Sequence, residues 1–201
     1  MSMQPLRVGF AFCGSFCTLS RAMGALEQVK AAFGDVTPIV SEITAATDTR
    51  FGPAHEFMQE MERICDRRII STVAAAEPIG PRKLLDVLII APCTGNTLSK
   101  LAAGTADSSV TMAAKSHLRN GQPLVIAVST NDGLGAAARN IGELLCRKNV
   151  YFVPFRQDDP SEKPTSLVAD FNLVSDTVRA ALDARQIQPI LLGPPTSTAS
   201  C

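Results

Sequence analysis

Val87-Leu88-Ile89-Ile90-Ala91-Pro92-Cys93-Thr94-Gly95-Asn96-Thr97-Leu98-Ser99-Lys100-Leu101-Ala102 runs from an unbroken apolar segment, through a short string of hydroxyl and amide residues, into helical spacing. The apolar part reads as a strand buried on both faces, the pattern of a parallel sheet. The polar string then turns the chain into a helix. Backbone N–H groups, Thr and Asn side chains and a helix N-terminus are thereby gathered at the carboxyl end of a strand. Open α/β sheets bind ligands at that end, and helix N-termini favour anions.

The same alternation extends in both directions. Apolar runs over 7–13, 36–40, 69–73, 124–128 and 150–153 predict further strands. Helical spacing predicts helices over 20–33, 53–65, 107–120, 135–148 and 168–185, with Pro53 suited to a first turn and Asp107 to a helix start. Strand–helix alternation of this kind predicts a single three-layer α/β/α domain, Rossmann-like (flavodoxin-like), with a parallel sheet covered on both faces. Right-handed crossovers then place the turns after the strands on one edge. Residues 155–166, with three carboxylates and two prolines, read as a long loop. The domain is expected over 1–192, and 193–201, with its Pro-Pro pair and Ser/Thr residues, reads as a frayed tail.

The chain has 201 residues, of which 46% are hydrophobic and 19% charged, so it can bury a full core and is not of disordered composition. Formal net charge is zero, and no Lys/Arg run stands out, which argues against a nucleic-acid or anionic-membrane partner. No apolar run reaches spanning length and the N-terminus lacks a signal-peptide pattern, so the cytosol (a cytoplasmic location) is expected. The six cysteines form no C-x-x-C pair and only two histidines exist, so no metal site is expected.

Candidate ligand residues cluster in the turns. Gly14-Ser15-Phe16 closes the first strand, where Gly allows close backbone approach and Ser offers a hydroxyl to a phosphate. This is not G-x-G-x-x-G, so a standard dinucleotide site is disfavoured, and taken alone these residues read first as a plain strand-to-helix turn. Ser41 follows the second strand and could reach the same phosphate or cap a helix. Thr94, Asn96 and Thr97 could cap the next helix and bind a ligand together, with Pro92 and Cys93 beside them. Ser129-Thr130-Asn131-Asp132-Gly133 offers Asn131 to a ligand or forms an Asp-Gly turn. Lys115, His117 and Arg119 form either a helix-end charge cluster or a site for an anionic substrate.

The ordered set of Gly14-Ser15, Ser41, the 91–102 string with Gly104 and Asp107, and Asn131 resembles the homo-oligomeric flavin-containing cysteine decarboxylase superfamily, whose Pro-Ala-Ser-Ala-Asn-Thr signature is close to Ala91-Pro92-Cys93-Thr94-Gly95-Asn96-Thr97. Longer blocks resemble, more narrowly, the B-subunit family of the dipicolinate synthases of spore-forming bacteria. These are Thr47-Asp48-Thr49-Arg50-Phe51-Gly52, Ala76-Glu77-Pro78-Ile79-Gly80-Pro81, Ala91 to Lys100, Ser129-Thr130-Asn131-Asp132, and Lys148 to Pro160. The resemblance implies an FMN-type flavoprotein fold and a homo-oligomer. It also implies a partner, the A subunit of dipicolinate synthase, carrying NAD(P). Together they would oxidise dihydrodipicolinate to pyridine-2,6-dicarboxylate during sporulation.

By resemblance, the cofactor residues are Gly14, Ser15, Phe16, Ser41, Pro92, Cys93, Thr94, Asn96, Thr97 and Asn131. Lys115 and Arg119 match basic residues on the substrate side of related flavin prenyltransferases, which suits a dianionic substrate. The catalytic candidates are Lys115 and Glu77. The chain departs from the decarboxylases where their catalytic His precedes the central strand: Ala76-Glu77-Pro78-Ile79-Gly80-Pro81 has no His, so that mechanism lacks its acid–base group. Glu77 could replace the His or merely stabilise the loop. Of their Pro-x-Met-Asn motif only Asn131 remains, in Val128-Ser129-Thr130-Asn131. The leading expectation is an oxidoreductase subunit. The alternatives are an FMN-dependent decarboxylase or prenyltransferase, and a scaffolding subunit with a vestigial flavin pocket.

Overall fold

The computed structural model describes residues 5–193; the expected tail, apart from Gly193, lies outside them. Seven strands form one sheet: β1 (Arg7–Phe12), β2 (Asp35–Val40), β3 (Val87–Cys93), β4 (Leu124–Thr130), β5 (Val150–Phe152), β6 (Phe155–Asp159) and β7 (Lys163–Ala169). Their order is β2-β1-β3-β4-β7-β6, with β5 also paired to β4. Strands β1 to β5 are parallel, as the sequence predicts, and β3 is buried along its whole length.

The helices are α1 (Leu19–Phe33), α2 (Glu42–Ala46), α3 (Ala54–Cys65), α4 (Val73–Ala76), α5 (Gly95–Ala103), α6 (Ser109–Leu118), α7 (Ala138–Leu145) and α8 (Val174–Leu182). Helix α1 packs against both α3 and α8, while α5 contacts both α6 and α7. The chain leaves β1 through α1 to β2 on one side, and leaves β3 through α5 and α6 to β4 on the other. The gap between the ends of β1 and β3 is therefore a topological switch point, the place where open sheets leave a crevice. Local sequence fixes where these helices begin and end. Thr94 accepts the Thr97 N–H at 3.3 Å to start α5, and Gly104, with φ of 71°, ends it in the left-handed conformation. Helix α6 starts at a reciprocal Ser108–Thr111 capping box, so Ser108 and not Asp107 is its cap.

Three expectations are corrected. Residues 155–166 are no loop: β6 and β7 form an antiparallel hairpin, making the sheet mostly and not wholly parallel. The last helix begins at Val174, because 163–169 is strand and Asp170 caps a 3-10 turn over Phe171–Leu173. Residues 69–73 form no named strand; Ile70 makes an isolated bridge to Ile39, and Thr72 then caps α4. The hairpin's β7 joins β4 through Ser129↔Val168 and Thr130↔Leu167. Gly133 lets the loop beyond β4 lie close to it, since a Cβ there would stand 2.6 Å from Leu167 Cγ.

Candidate functional site

At the switch point, a cleft of about 440 Å³ opens between Gly14 and Phe16 after β1, Ser41 to Ile43 after β2, Thr94 to Thr97 after β3, and Asp107-Ser108 before α6. That size lies within the usual range for small-ligand sites. Beneath it lies the buried end of β3, where Ala91 and Cys93 have no exposed surface. Burial pushes the Cys93 thiol well above its usual range, so it stands as a neutral thiol. Cys13 lines the cleft and donates its Sγ–H to Pro92 O at 3.0 Å.

The hydroxyls around this cleft are pre-positioned by capping. Thr94 Oγ1 donates to Thr97 Oγ1 at 3.2 Å while accepting the Thr97 N–H. The Thr97 hydroxyl hydrogen then has no role in the cap and can donate outward. Ser41 caps α2 in the same way, with its Oγ 2.8 Å from Thr44 Oγ1, and one hydroxyl hydrogen of that pair is left over. Asn96 is exposed on the first turn of α5 and lines the wall. A Cβ placed on Gly14 would meet nothing nearer than the Phe16 ring at 4.0 Å, so the space above that turn is open.

A second hollow, of about 460 Å³, adjoins the first through Gly14, Phe16 and Thr94 and extends under the β6–β7 hairpin. Ser15 belongs here. Its Oγ bonds Ser129 Oγ at 2.8 Å and accepts from Thr18 Oγ1 at 3.0 Å, and Thr18 and Ser129 are 3.1 Å apart. Asn131 lines this second hollow too, with Asp132, Asp158 and Lys163.

The helix N-termini are partly filled from within. Both Glu42 carboxylate oxygens accept the Ser109 N–H, at 3.0 and 3.1 Å, at the start of α6. At the start of α5, Asp132 Oδ1 stands 2.7 Å from where a Cβ on Gly95 would be. Glu42 thus occupies the positive dipole end of α6, and Asp132 stands beside that of α5, the end the sequence offers to an external anion.

The structure thus brings Gly14, Phe16, Ser41, Thr94, Asn96 and Thr97 to one cleft and puts Ser15 and Asn131 next door. Pro92 and Cys93 are buried in β3 and line neither space. Lys115 and Arg119 are not brought to the cleft. Helix α6 runs back along the sheet: Ser109 Oγ donates to Val40 O at 2.6 Å at the carboxyl edge, whereas His117 Nε2 meets Pro123 O at 3.0 Å just before β4 begins. Lys115 and Arg119 therefore lie toward the amino edge of the sheet. Glu77 is exposed on a 3-10 turn that packs against α6, and it also lines neither space.

The chain is 41% identical over 191 residues, 95% of its length and 96% of the relative, to the B subunit of dipicolinate synthase from Bacillus subtilis (strain 168). The chain belongs to the dipicolinate synthase B-subunit family. The solved B-subunit structure from Bacillus halodurans superposes with a TM-score of 0.87 at 42% identity, covering 96% of this chain and 99% of that one. Residues 43–136 match the Flavoprotein family model. The FMN-dependent cysteine decarboxylase SpaF, at 22% identity over 89% of this chain and 97% of its own, shares the fold with a TM-score of 0.61. In this member of the B-subunit family the central 43–136 stretch includes β3, α5, α6 and β4, so it spans most of the cleft.

Sequence reasoning missed Glu42, Ile43 and the hairpin residues Asp158 and Lys163 as lining groups. Ile43 carried a signal: an apolar residue shortly after a strand end, in an otherwise polar turn. Asp158 and Lys163 carried none, because only the unforeseen hairpin brings them to the edge of β4.

Proposed function

We propose that the cleft holds FMN and that the chain is the flavoprotein subunit of a dipicolinate synthase, acting with an NAD(P)-binding A subunit to oxidise dihydrodipicolinate to pyridine-2,6-dicarboxylate in the cytoplasm of a sporulating cell. The observation that carries this reading is the convergence of the open Gly14 backbone after β1 with hydroxyl and amide side chains from the turns after β2 and β3 on one cleft at the switch point. Those donors suit a ribityl phosphate and a flavin edge better than a dinucleotide, whose glycine fingerprint is missing.

Gly14 admits the ligand close to the backbone. The spare hydrogens of Thr97 and of the Ser41–Thr44 pair donate to its oxygens, and Asn96 offers both donor and acceptor from the wall. Bound FMN would supply a two-electron acceptor, while the protein fixes its orientation. Phe16 and Ile43 supply apolar wall to the cleft.

The decarboxylase alternative is disfavoured because the 76–81 segment carries no His and its Glu77 does not line the cleft. The test is the visible absorbance spectrum of the purified chain, before and after adding FMN and removing the excess. Retained flavin is expected. A colourless protein under both conditions would sink the reading and favour a scaffolding role.

A further inference from the structure

Resting on that reading, we propose that Asp132 is the base that takes the proton released when dihydrodipicolinate is oxidised. Forming the aromatic ring breaks two C–H bonds of the substrate. One hydrogen leaves with its bonding electrons to the flavin, the oxidant. The other leaves as a proton, and the electrons of its bond stay in the ring. That proton needs an acceptor within reach. The two substrate carboxylates flank the ring nitrogen, so the opposite edge of the ring carries the C–H groups. An anionic base can approach that edge while the carboxylates point away.

Four carboxylates line the cleft and its adjoining hollow, and three of them are already engaged. Both Glu42 oxygens hold the Ser109 N–H. Asp107 is paired to Lys100 at 2.9 Å, and that bond holds its carboxyl below the usual range. Asp158 is paired to Lys163 at 3.3 Å. No histidine lines either space among the described residues. The Cys13 thiol is turned onto Pro92 O, and the residue is only 3% exposed.

Asp132 differs from the other three. Its Oδ1 accepts from Thr130 Oγ1, which fixes the direction of the carboxylate, and its Oδ2 takes no hydrogen bond from any described residue. Gly95 makes room for this pair. A Cβ there would stand 2.7 Å from Asp132 Oδ1 and 2.9 Å from Thr130 Oγ1, so any side chain at 95 would push the carboxylate aside. Thr94 and Asn96, on either side of Gly95, both line the flavin cleft, which puts Asp132 at the join between cleft and hollow. The exposed Asp132 also lines a separate hollow of about 530 Å³, with Asn96 and Arg139. A proton taken on the cleft side can pass to water on that outer side, which readies the carboxylate for the next turnover.

The test compares the FMN-loaded chain with its Asp132→Asn variant, each mixed with the A subunit and given dihydrodipicolinate. Asparagine keeps the shape of the side chain and an acceptor for Thr130 but takes no proton. Formation of pyridine-2,6-dicarboxylate should fall by about 100-fold or more, the scale of a lost general base. Flavin retention, melting temperature and affinity for the product, read by equilibrium dialysis, should stay as in the parent chain. In Asp132→Ala, added acetate should restore part of the lost rate, which a merely structural role does not allow. Full activity in Asp132→Asn would overturn the proposal. So would a loss matched by weaker product binding or lost flavin, or an Asp132→Ala variant that acetate leaves unchanged. A parent chain that holds no flavin, or that forms no product with the A subunit, would bring down the functional reading and this proposal with it.

Discussion

The two edges of the parallel sheet are built from the same strands and behave in opposite ways. At the amino edge a strong ion pair is answered within the chain. Asp86 accepts from the Arg7 backbone N–H at 2.9 Å and from its guanidinium at 3.1 and 2.6 Å, and Arg7 Nη1 donates to Lys83 O at 2.8 Å. The guanidinium holds the Asp86 carboxyl below its usual range, and His117 lies close enough to feel that charge. At the carboxyl edge the caps leave hydroxyl hydrogens over, an exposed amide on Asn96 and open space above Gly14. The amino edge closes the fold, and the carboxyl edge keeps donors in reserve for something else.

Substitutions that separate binding from stability would break or sharpen this contrast. The largest effect is expected from Gly14→Leu, which fills the open space without a backbone clash. Flavin binding should weaken by about 100-fold, the ~3 kcal/mol end of overpacking, at an unchanged melting temperature. A parallel fall in melting temperature would mean that this turn serves the fold instead. Asn96→Ala should weaken flavin retention by about tenfold, the scale of a lost hydrogen bond, again without a stability change. Unaltered affinity, measured by fluorescence titration, would remove Asn96 from the site.

The amino edge should respond in reverse. Asp86→Ala should lower unfolding free energy in urea by about 1 kcal/mol, since the ion pair is partly solvated, and leave flavin affinity alone. A smaller effect concerns pH. Burial lowers the pKa of His117 from its usual 6.5, against the contact with Pro123 O. The unfolded chain then binds a proton more readily than the folded one, so this contribution is intact above pH about 6.5 and is lost as pH falls below it. His117→Leu should flatten the urea midpoint over that range; an equally steep profile would show that another group carries it.

The legibility of the sequence followed the same division. The turns after β1, β2 and β3 were readable because an apolar run that stops at Gly14, Ser41 or Thr94 leaves little choice about which end of the strand faces a ligand. The hairpin was not. Phe155–Asp159 and Lys163–Ala169 carry charges on their exposed positions, and Leu167 to Ala169 is a continuous buried run that mimics the start of the helix behind it. Ile69 and Ile70 suggested a strand, but a single bridge is all that the edge of β2 accepts before Thr72 starts α4. Within the site, the direction of the Ser15 hydroxyl depends on Ser129, which is 114 residues away, and the Glu42 clamp depends on Ser109. Neither partnership leaves a local trace. The placement of Lys115 failed for another reason: helix periodicity says which residues share a face but not which end of the sheet the helix reaches.

Strand β4 serves two successive neighbours, β5 along Leu124 to Ile126 and β7 at Ser129 and Thr130. Only Val153 and Pro154 separate β5 from β6. Such a short connection leaves no slack, so an extra residue there would throw the hairpin out of step with β4, whereas the tip at Pro160 to Glu162 could take an inserted peptide tag. The length of the chain is thus rigidly specified at one end of the hairpin and free at the other.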